Sequence, residues 1–273
     1  MKTCFRCLAL FALLAVLAGC VTVPITGRQQ LAFIPESQLT AMAIDQYGKV
    51  LSESKLSTNP DQIAMVTRVG KRLATATENY LRAQGYPNPG FTWEFNVIDD
   101  PETVNAWAMP GGKVAVYTGI LPICQDDAGL AVVMGHEIAH AIARHGNERM
   151  SEGLLVALGG VALQQALKDK PAQTRDLFLQ SYGAVGSVGV MLPHGRQQES
   201  EADHIGLILM ASAGYDPRAS VPFWQRMAGK GGPRPPEFLS THPDPENRVN
   251  ALRAWIPEAM PIYQQYAGAP VAG

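Results

Sequence analysis

Two hydrophobic periodicities divide this chain. Ile63, Val66, Gly70, Leu73, Thr77 and Leu81 recur every three or four residues, the signature of one helix face. That helix is expected over about 61–84, because Asn59-Pro60 offers a cap and a proline at the first helical position and Gly85 stops it. Another is expected over about 36–52. Phe91, Trp93, Phe95 and Val97 alternate instead, so 91–98 reads as a strand. Segments 104–109 and 113–118 flank Pro110-Gly111-Gly112, a hairpin signal. From Asp126 onward helical spacing takes over. Asp126 caps a helix expected to reach about Glu148. Others follow over 152–168 and about 198–213, from Asp216-Pro217, and from Asp244-Pro245 to near Ile256. The stretches 181–195 and 229–236 are glycine- or proline-rich and read as loops. The expected fold class is α+β, predominantly α-helical, with a small antiparallel β-sheet and one domain over 36–256, followed by a tail over 257–273.

Composition narrows the function classes. With 273 residues, 47% hydrophobic and 17% charged, the chain is neither disordered nor a multi-span membrane protein. Its net charge of −2 gives no basic footprint, so nucleic acid is not expected as a partner.

The first residues follow different rules. Lys2 and Arg6 precede an apolar run over 8–18, too short to span a bilayer but suited to a secretory signal. The run closes in Leu17-Ala18-Gly19-Cys20, which resembles the bacterial lipobox, with cleavage before the lipidated cysteine. Residues 1–19 are therefore expected to be a signal peptide and 20–35 a lipidated, polar tether with a weak strand at 30–34. The expected location is the periplasm, anchored to the outer membrane through Cys20; Val21 at the next position is what favours that membrane by analogy. Cys4 and Cys7 leave with the signal, and Cys124 remains as a lone packed thiol.

The chemistry centres on His136-Glu137-Ile138-Ala139-His140. Four residues on a helix turn through about 400°, so the two histidines share a face one turn apart. Two neutral imidazoles there can hold Zn²⁺, with Glu137 placed as general base toward a water. Ala143 and Gly146 stand where a metzincin would carry Gly and His, so that pattern is excluded. His145 is read as a surface residue or as a support for a ligand. A third ligand is needed. Glu199 is favoured because it shares a helix face with Asp203, which can then hydrogen-bond a zinc histidine; Glu201, rotated by about 200°, is the alternative. His194 and His204 are not expected to be ligands.

The His-Glu-x-x-His motif, followed some sixty residues later by Arg196-Gln197-Gln198-Glu199-Ser200-Glu201-Ala202-Asp203, resembles metallopeptidase family 48, the gluzincins that include HtpX and the CAAX-prenyl endopeptidases. With the lipobox and Thr26-Gly27-Arg28, it looks most like the family's periplasmic lipoprotein branch, without that branch's tetratricopeptide repeats. The resemblance implies a zincin fold, one Zn²⁺ per chain, a Glu-x-x-x-Asp motif for the third ligand, and endoproteolysis. It also implies that Asn105-Ala106-Trp107-Ala108 lines the cleft edge, with Asn105 and Ala106 binding substrate as an added strand. Ser240-Thr241-His242-Pro243 with Arg248 is similar to the family's late His-Pro motif, in which His242 either stabilises the oxyanion or plugs the open zinc position. The implied substrates are unfolded or misfolded envelope polypeptides, with outer-membrane assembly machinery as a further partner. A zinc-binding chaperone or assembly factor with little or latent protease activity is the alternative.

Overall fold

A computed structural model describes residues 20–168, 170–184, 192–230, 238, 242 and 245–268. The expected signal peptide, most of the 229–236 loop, and Ser240, Thr241 and Pro243 lie outside the described residues.

Helix α1 spans Glu36–Glu53 and α2 spans Pro60–Ala83. The Asn59 side chain starts α2 by accepting from the backbone N–H groups of Asp61 (3.0 Å) and Gln62 (3.3 Å), as its N-cap position requires. The periodic residues Val66, Gly70, Leu73, Thr77 and Leu81 are buried; Ile63, one turn in from the start, is exposed instead. α1 is less committed to the interior, burying Leu39, Ala43 and Tyr47. The Tyr47 hydroxyl donates to Val114 O (3.1 Å) and so ties α1 to the sheet.

That sheet has three strands, β3 (Glu94–Ile98), β4 (Ala106–Met109) and β5 (Lys113–Tyr117), in the order β3-β5-β4. β4 and β5 form the expected antiparallel hairpin around Gly111 and Gly112, whose φ values of 83° and 82° only glycine adopts freely. β3, however, pairs with β5 in parallel, so the sheet is mixed and not purely antiparallel. A parallel pair needs a long crossover, and residues 99–112, including β4, supply it. β4 is left at the edge.

The central element is α4 (Asp127–Ile142), preceded by the short α3 (Leu121–Cys124). Asp126 caps α4 by accepting from Gly129 N at 2.8 Å. From Gly129 to Ile142 every residue of α4 is buried. A helix apolar on all sides must be wrapped on all sides, and α2, α7 and β4 do so. α7 (Leu192–Ser212) crosses it at two glycines. A methyl on Gly206 would lie 2.9 Å from His136 N and 3.0 Å from the Gly135 carbonyl carbon; one on Gly135 would lie 3.1 Å from Gly206 O. α8 (Ser220–Gly229) and α9 (Pro245–Tyr266) complete the wrapping.

Several boundaries differ from expectation. α4 stops at Ile142; Arg144 takes a left-handed conformation (φ 58°), and α5 begins afresh at His145, ending at Ala166. Neither glycine nor proline marks that break. The expected 181–195 loop holds the end of α6 (Ala172–Ala184) and the start of α7, with 185–191 outside the described residues. α9 runs through Pro257 and Pro261 to Tyr266, where a tail was expected. The polar tether is a small hairpin, β1 (Cys20–Thr22) paired with β2 (Gln29–Leu31), and it docks against α5 and α7. α5 and α6 expose Leu158, Val161, Leu177 and Phe178, yet no described helix is long and apolar enough to cross a membrane.

The glycine crossing gives a direct test. Gly206→Ala forces the α4 and α7 backbones apart and should cost about 1–3 kcal/mol, as overpacking does. A lower thermal midpoint, with zinc affinity reduced in parallel, is the expected reading; unchanged values for both would contradict this account of the crossing.

Candidate metal centre and active site

The close crossing sets α7 side chains against the α4 histidines. The Nε2 atoms of His136 and His140 are 3.1 Å apart. Glu199 places Oε2 3.4 Å from His136 Nε2 and Oε1 3.3 Å from His140 Nε2. His242 joins them, its Nδ1 3.1 Å from His136 Nε2 and 2.6 Å from Glu199 Oε2. One donor atom from each of these four residues lies within 4.8 Å of the others. Ligands about 2.0–2.1 Å from a tetrahedral zinc stand about 3.3 Å apart, so the spacing among His136, His140 and Glu199 suits that ion. Glu201, the alternative ligand, faces away from the group.

Each donor is oriented from behind. His136 Nδ1 lies 2.9 Å from Asp203 Oδ1, which holds one ring proton on Nδ1 and turns Nε2 toward Glu199 and His140, where it could accept a metal once its own proton is lost. Arg248, from α9, donates Nη2 to Glu199 Oε2 (2.9 Å), Nε to Asp203 Oδ2, and Nη1 to the His242 carbonyl (3.2 Å). Its guanidinium lies 3.9 Å over the Trp224 ring. His140 Nδ1 meets His145 Nδ1 at 2.8 Å, and His145 Nε2 meets Glu201 Oε2 at 3.0 Å.

These contacts set the protonation of the metal-free site. Burial pushes the His136 imidazolium down, but Asp203 and Glu199 outweigh it and raise its pKa to about 9. Burial pushes His140 well below the ordinary histidine value, and Glu199 only partly offsets this. Burial would raise Glu199, yet hydrogen bonds from His136, His140 and His242 hold its carboxyl below the usual carboxylate range.

Glu137 stands apart from these pairings. Its Oε1 is buried with no hydrogen bond, and His242 Nε2 lies 3.5 Å away. An orphaned carboxylate oxygen in a dry site is costly unless something arrives to pair with it. Burial raises the Glu137 pKa, against the opposing pull of His242 and His136. β4 begins at Ala106 and Asn105 just precedes it, both residues buried. The Asn105 Oδ1 accepts from Ala106 N at 2.9 Å, and its carbonyl accepts from Tyr117 N at 3.0 Å.

Residues 65–256 match the profile of Peptidase family M48. The chain belongs to that family. Among M48 relatives, mitochondrial metalloendopeptidase OMA1 of Schizosaccharomyces pombe is 36% identical over 242 residues, 87% of this chain and 66% of that protein. Mitochondrial metalloendopeptidase OMA1 of Homo sapiens is 34% identical, covering 88% of this chain and 46% of its own length. The beta-barrel assembly-enhancing protease of Escherichia coli is 29% identical over 63% of this chain and 36% of that protein. The chain thus spans about one to two thirds of the length of these relatives. M48 membership makes this a metallopeptidase domain, a hydrolase with Zn²⁺ as its cofactor.

The same comparisons correct the expected location. The relatives that cover 87–88% of this chain at 34–36% identity bear mitochondrial names, whereas the bacterial assembly-enhancing protease covers 63% at 29%. A periplasmic, outer-membrane-anchored assignment is overturned by that order. The Leu-Ala-Gly-Cys signal misled because four small and apolar residues carry little information beside two hundred aligned ones.

One orienting group escaped the sequence reading, and for another it left two alternatives open. Arg248 was visible only as a neighbour of a motif, and nothing local marks it as a clamp. Of the two readings of His145, its full burial and its contact with His140 favour support for a ligand over a surface residue, since the break at Arg144 resets the helical phase there.

Zinc uptake should carry a proton signature. His136 is protonated at neutral pH in the metal-free protein, so the metal must expel that proton. Because its folded pKa is raised, its contribution to metal-free stability is present below about pH 6.5 and lost as pH rises through about 9. Titration calorimetry in two buffers of different ionisation enthalpy at pH 7.5 should report about one proton released per zinc, falling toward zero above pH 9. Release that does not change with pH would remove His136 from the ligand set.

Proposed function

We propose that this chain is a zinc metalloendopeptidase that hydrolyses internal peptide bonds in unfolded or misfolded polypeptides, as a quality-control protease. The observation that carries the reading is Glu137 Oε1, buried and without a hydrogen bond, on the helix that also presents His136 and His140. A base that must accept a proton from water and return it needs such an unengaged oxygen.

In this reading His136, His140 and Glu199 hold the metal. Bound zinc would acidify a water and polarise the scissile carbonyl. Glu137 accepts the water's proton at Oε1 and delivers it to the leaving amide nitrogen. Asp203 keeps the His136 proton on Nδ1, and Arg248 holds the Asp203 and Glu199 carboxylates in place from the far side. β4, an edge strand packed on α4, supports substrate binding by strand addition, with Ala106 at its start and Asn105 just before it. Backbone pairing asks for an extended segment and little else, which suits unfolded chains. The names of the beta-barrel assembly-enhancing relatives support a role in protein quality control.

The seat of His242 favours a restrained enzyme. Its Nδ1 sits among the donor atoms, where a resting-state plug would sit. This position supports the plug over the oxyanion role, and it also leaves a latent protease acting as a chaperone or assembly factor as the second reading.

Two variants test the proposal. Glu137→Gln should retain about one zinc per chain while losing about 10²–10⁴-fold of casein cleavage; chelation of wild type should abolish cleavage, and zinc should restore it. His242→Ala should keep its zinc and cleave faster than wild type. If wild type and His242→Ala both hold zinc and neither cleaves, the chaperone reading replaces the protease.

A further inference from the structure

The N-terminal hairpin reaches the back of the metal centre. Between β1 and β2 the chain turns tightly, with Ile25 at φ 73° and Gly27 at φ 71°. Left-handed backbone at a β-branched residue is rare and persists only where its surroundings hold it. Here the turn is closed by Val23 N donating to Arg28 O (2.8 Å) and Gly27 N to Val23 O (3.0 Å), with Val23 fully buried. The result aims Thr26 and Arg28 at one carboxylate, Glu201. Thr26 Oγ1 donates to its Oε1, and Arg28 Nε donates to its Oε2 at 2.7 Å. The rest of the Arg28 fork grips Glu148 on α5, Nη1 to Oε1 at 2.6 Å and Nη2 to Oε2 at 2.8 Å.

Glu201 Oε2 also faces His145 Nε2 at 3.0 Å, and His145 Nδ1 faces His140 Nδ1 at 2.8 Å. Two facing Nδ1 atoms at that distance share one proton. For His140 to offer Nε2 to a metal, its own proton must sit on Nδ1, so His145 Nδ1 must be the acceptor. His145 then carries its proton on Nε2, and that tautomer is stable only if an ionised acceptor waits there. Glu201 is that acceptor, and Arg28 is the cation beside it.

We propose that Arg28 is a positioning residue of the metal centre, fixing the tautomer and orientation of His140 through Glu201 and His145, so that the N-terminal hairpin is a working part of the site. The inference rests on His140 being a zinc ligand, as read above. It gives the turn's strained geometry a purpose and explains why a buried glutamate two residues from Glu199 faces away from the metal. It also gives the two α4 histidines different backing: a carboxylate directly behind His136, and a histidine–carboxylate–arginine chain behind His140.

Zinc affinity, measured by competition with a chelating dye on the full chain, tests this without reference to cleavage. Arg28→Ala should weaken zinc binding by about 10–100-fold, the usual loss when an outer partner of a ligand is removed. The decisive comparison is the same substitution in a His145→Phe background, where no relay exists. There Arg28→Ala should change affinity by less than about twofold, because its route to His140 is already cut. Circular dichroism and the thermal midpoint of the metal-free proteins, recorded alongside, separate folding losses from metal losses. If Arg28→Ala does not fold, Arg28→Lys and Thr26→Val replace it. The first keeps the charge without the fork, the second removes only one donor to Glu201, and each should weaken zinc by a smaller factor that again vanishes with His145→Phe. Equal loss in both backgrounds, or no loss in a folded Arg28 variant, overturns the proposal while leaving the metal site intact. A wild-type chain that binds no zinc overturns the metal site, and this inference with it.

Discussion

The contact between the Gly135 and Gly206 backbones is the constraint on which the site depends. Helices packed through large side chains stand about 8–10 Å apart, a separation that works against a carboxylate about two turns from the crossing sharing an ion with both histidines. Glycine on both sides removes that spacer. His136 directly follows one of the glycines, and Asp203 lies three residues before the other. The metal-facing group is therefore a product of backbone proximity first and of side-chain choice second. The fully apolar flanks of α4 serve the same end, since a helix gripped on every side cannot rotate its histidines away from Glu199.

Around the donors lies a dense layer of buried charge. Arg248 spans Glu199 and Asp203 while stacked on Trp224, and Arg28 spans Glu148 and Glu201. Buried ion pairs add little net stability over apolar replacements of the same shape, because desolvation consumes most of the attraction. Their value here is directional. Each guanidinium fork spans two carboxylates, and three of those four, Asp203, Glu199 and Glu201, in turn meet imidazoles. Breaking one member would leave its partners buried and uncompensated, so the layer is held as a unit.

How much of this could be read from the chain depended on whether the information was local. His136, Glu137 and His140 fall within one turn and a fraction, and helical geometry alone puts the histidines side by side. Glu199 and Asp203 were reachable by the same reasoning applied to a second helix, because the interval of four residues is again a face. The strand at 94–98 was legible from alternation and those at 106–109 and 113–117 from the glycine turn between them, but the parallel pairing of β3 with β5 was not, since neither signal fixes the direction of that pair. The tie between His145 and His140 was hidden by a helix break at an arginine, a residue with no preference for left-handed backbone. Arg28 was hidden by distance, about 170 residues from Glu201 along the chain, inside a segment whose composition resembled a tether.

The edge position of β4 carries a wider consequence. A cleft that grips a strand through its main chain, as proposed for β4, is indifferent to side chains, yet a folded protein keeps its main chain occupied. Such a cleft responds to the fraction of time a neighbouring protein spends locally open. That fraction grows tenfold for each 1.4 kcal/mol of stability its owner loses. Selectivity of this kind resides in the thermodynamics of the victim, and a mutation anywhere in a client that loosens one segment would be felt at the strand edge as a rise in concentration.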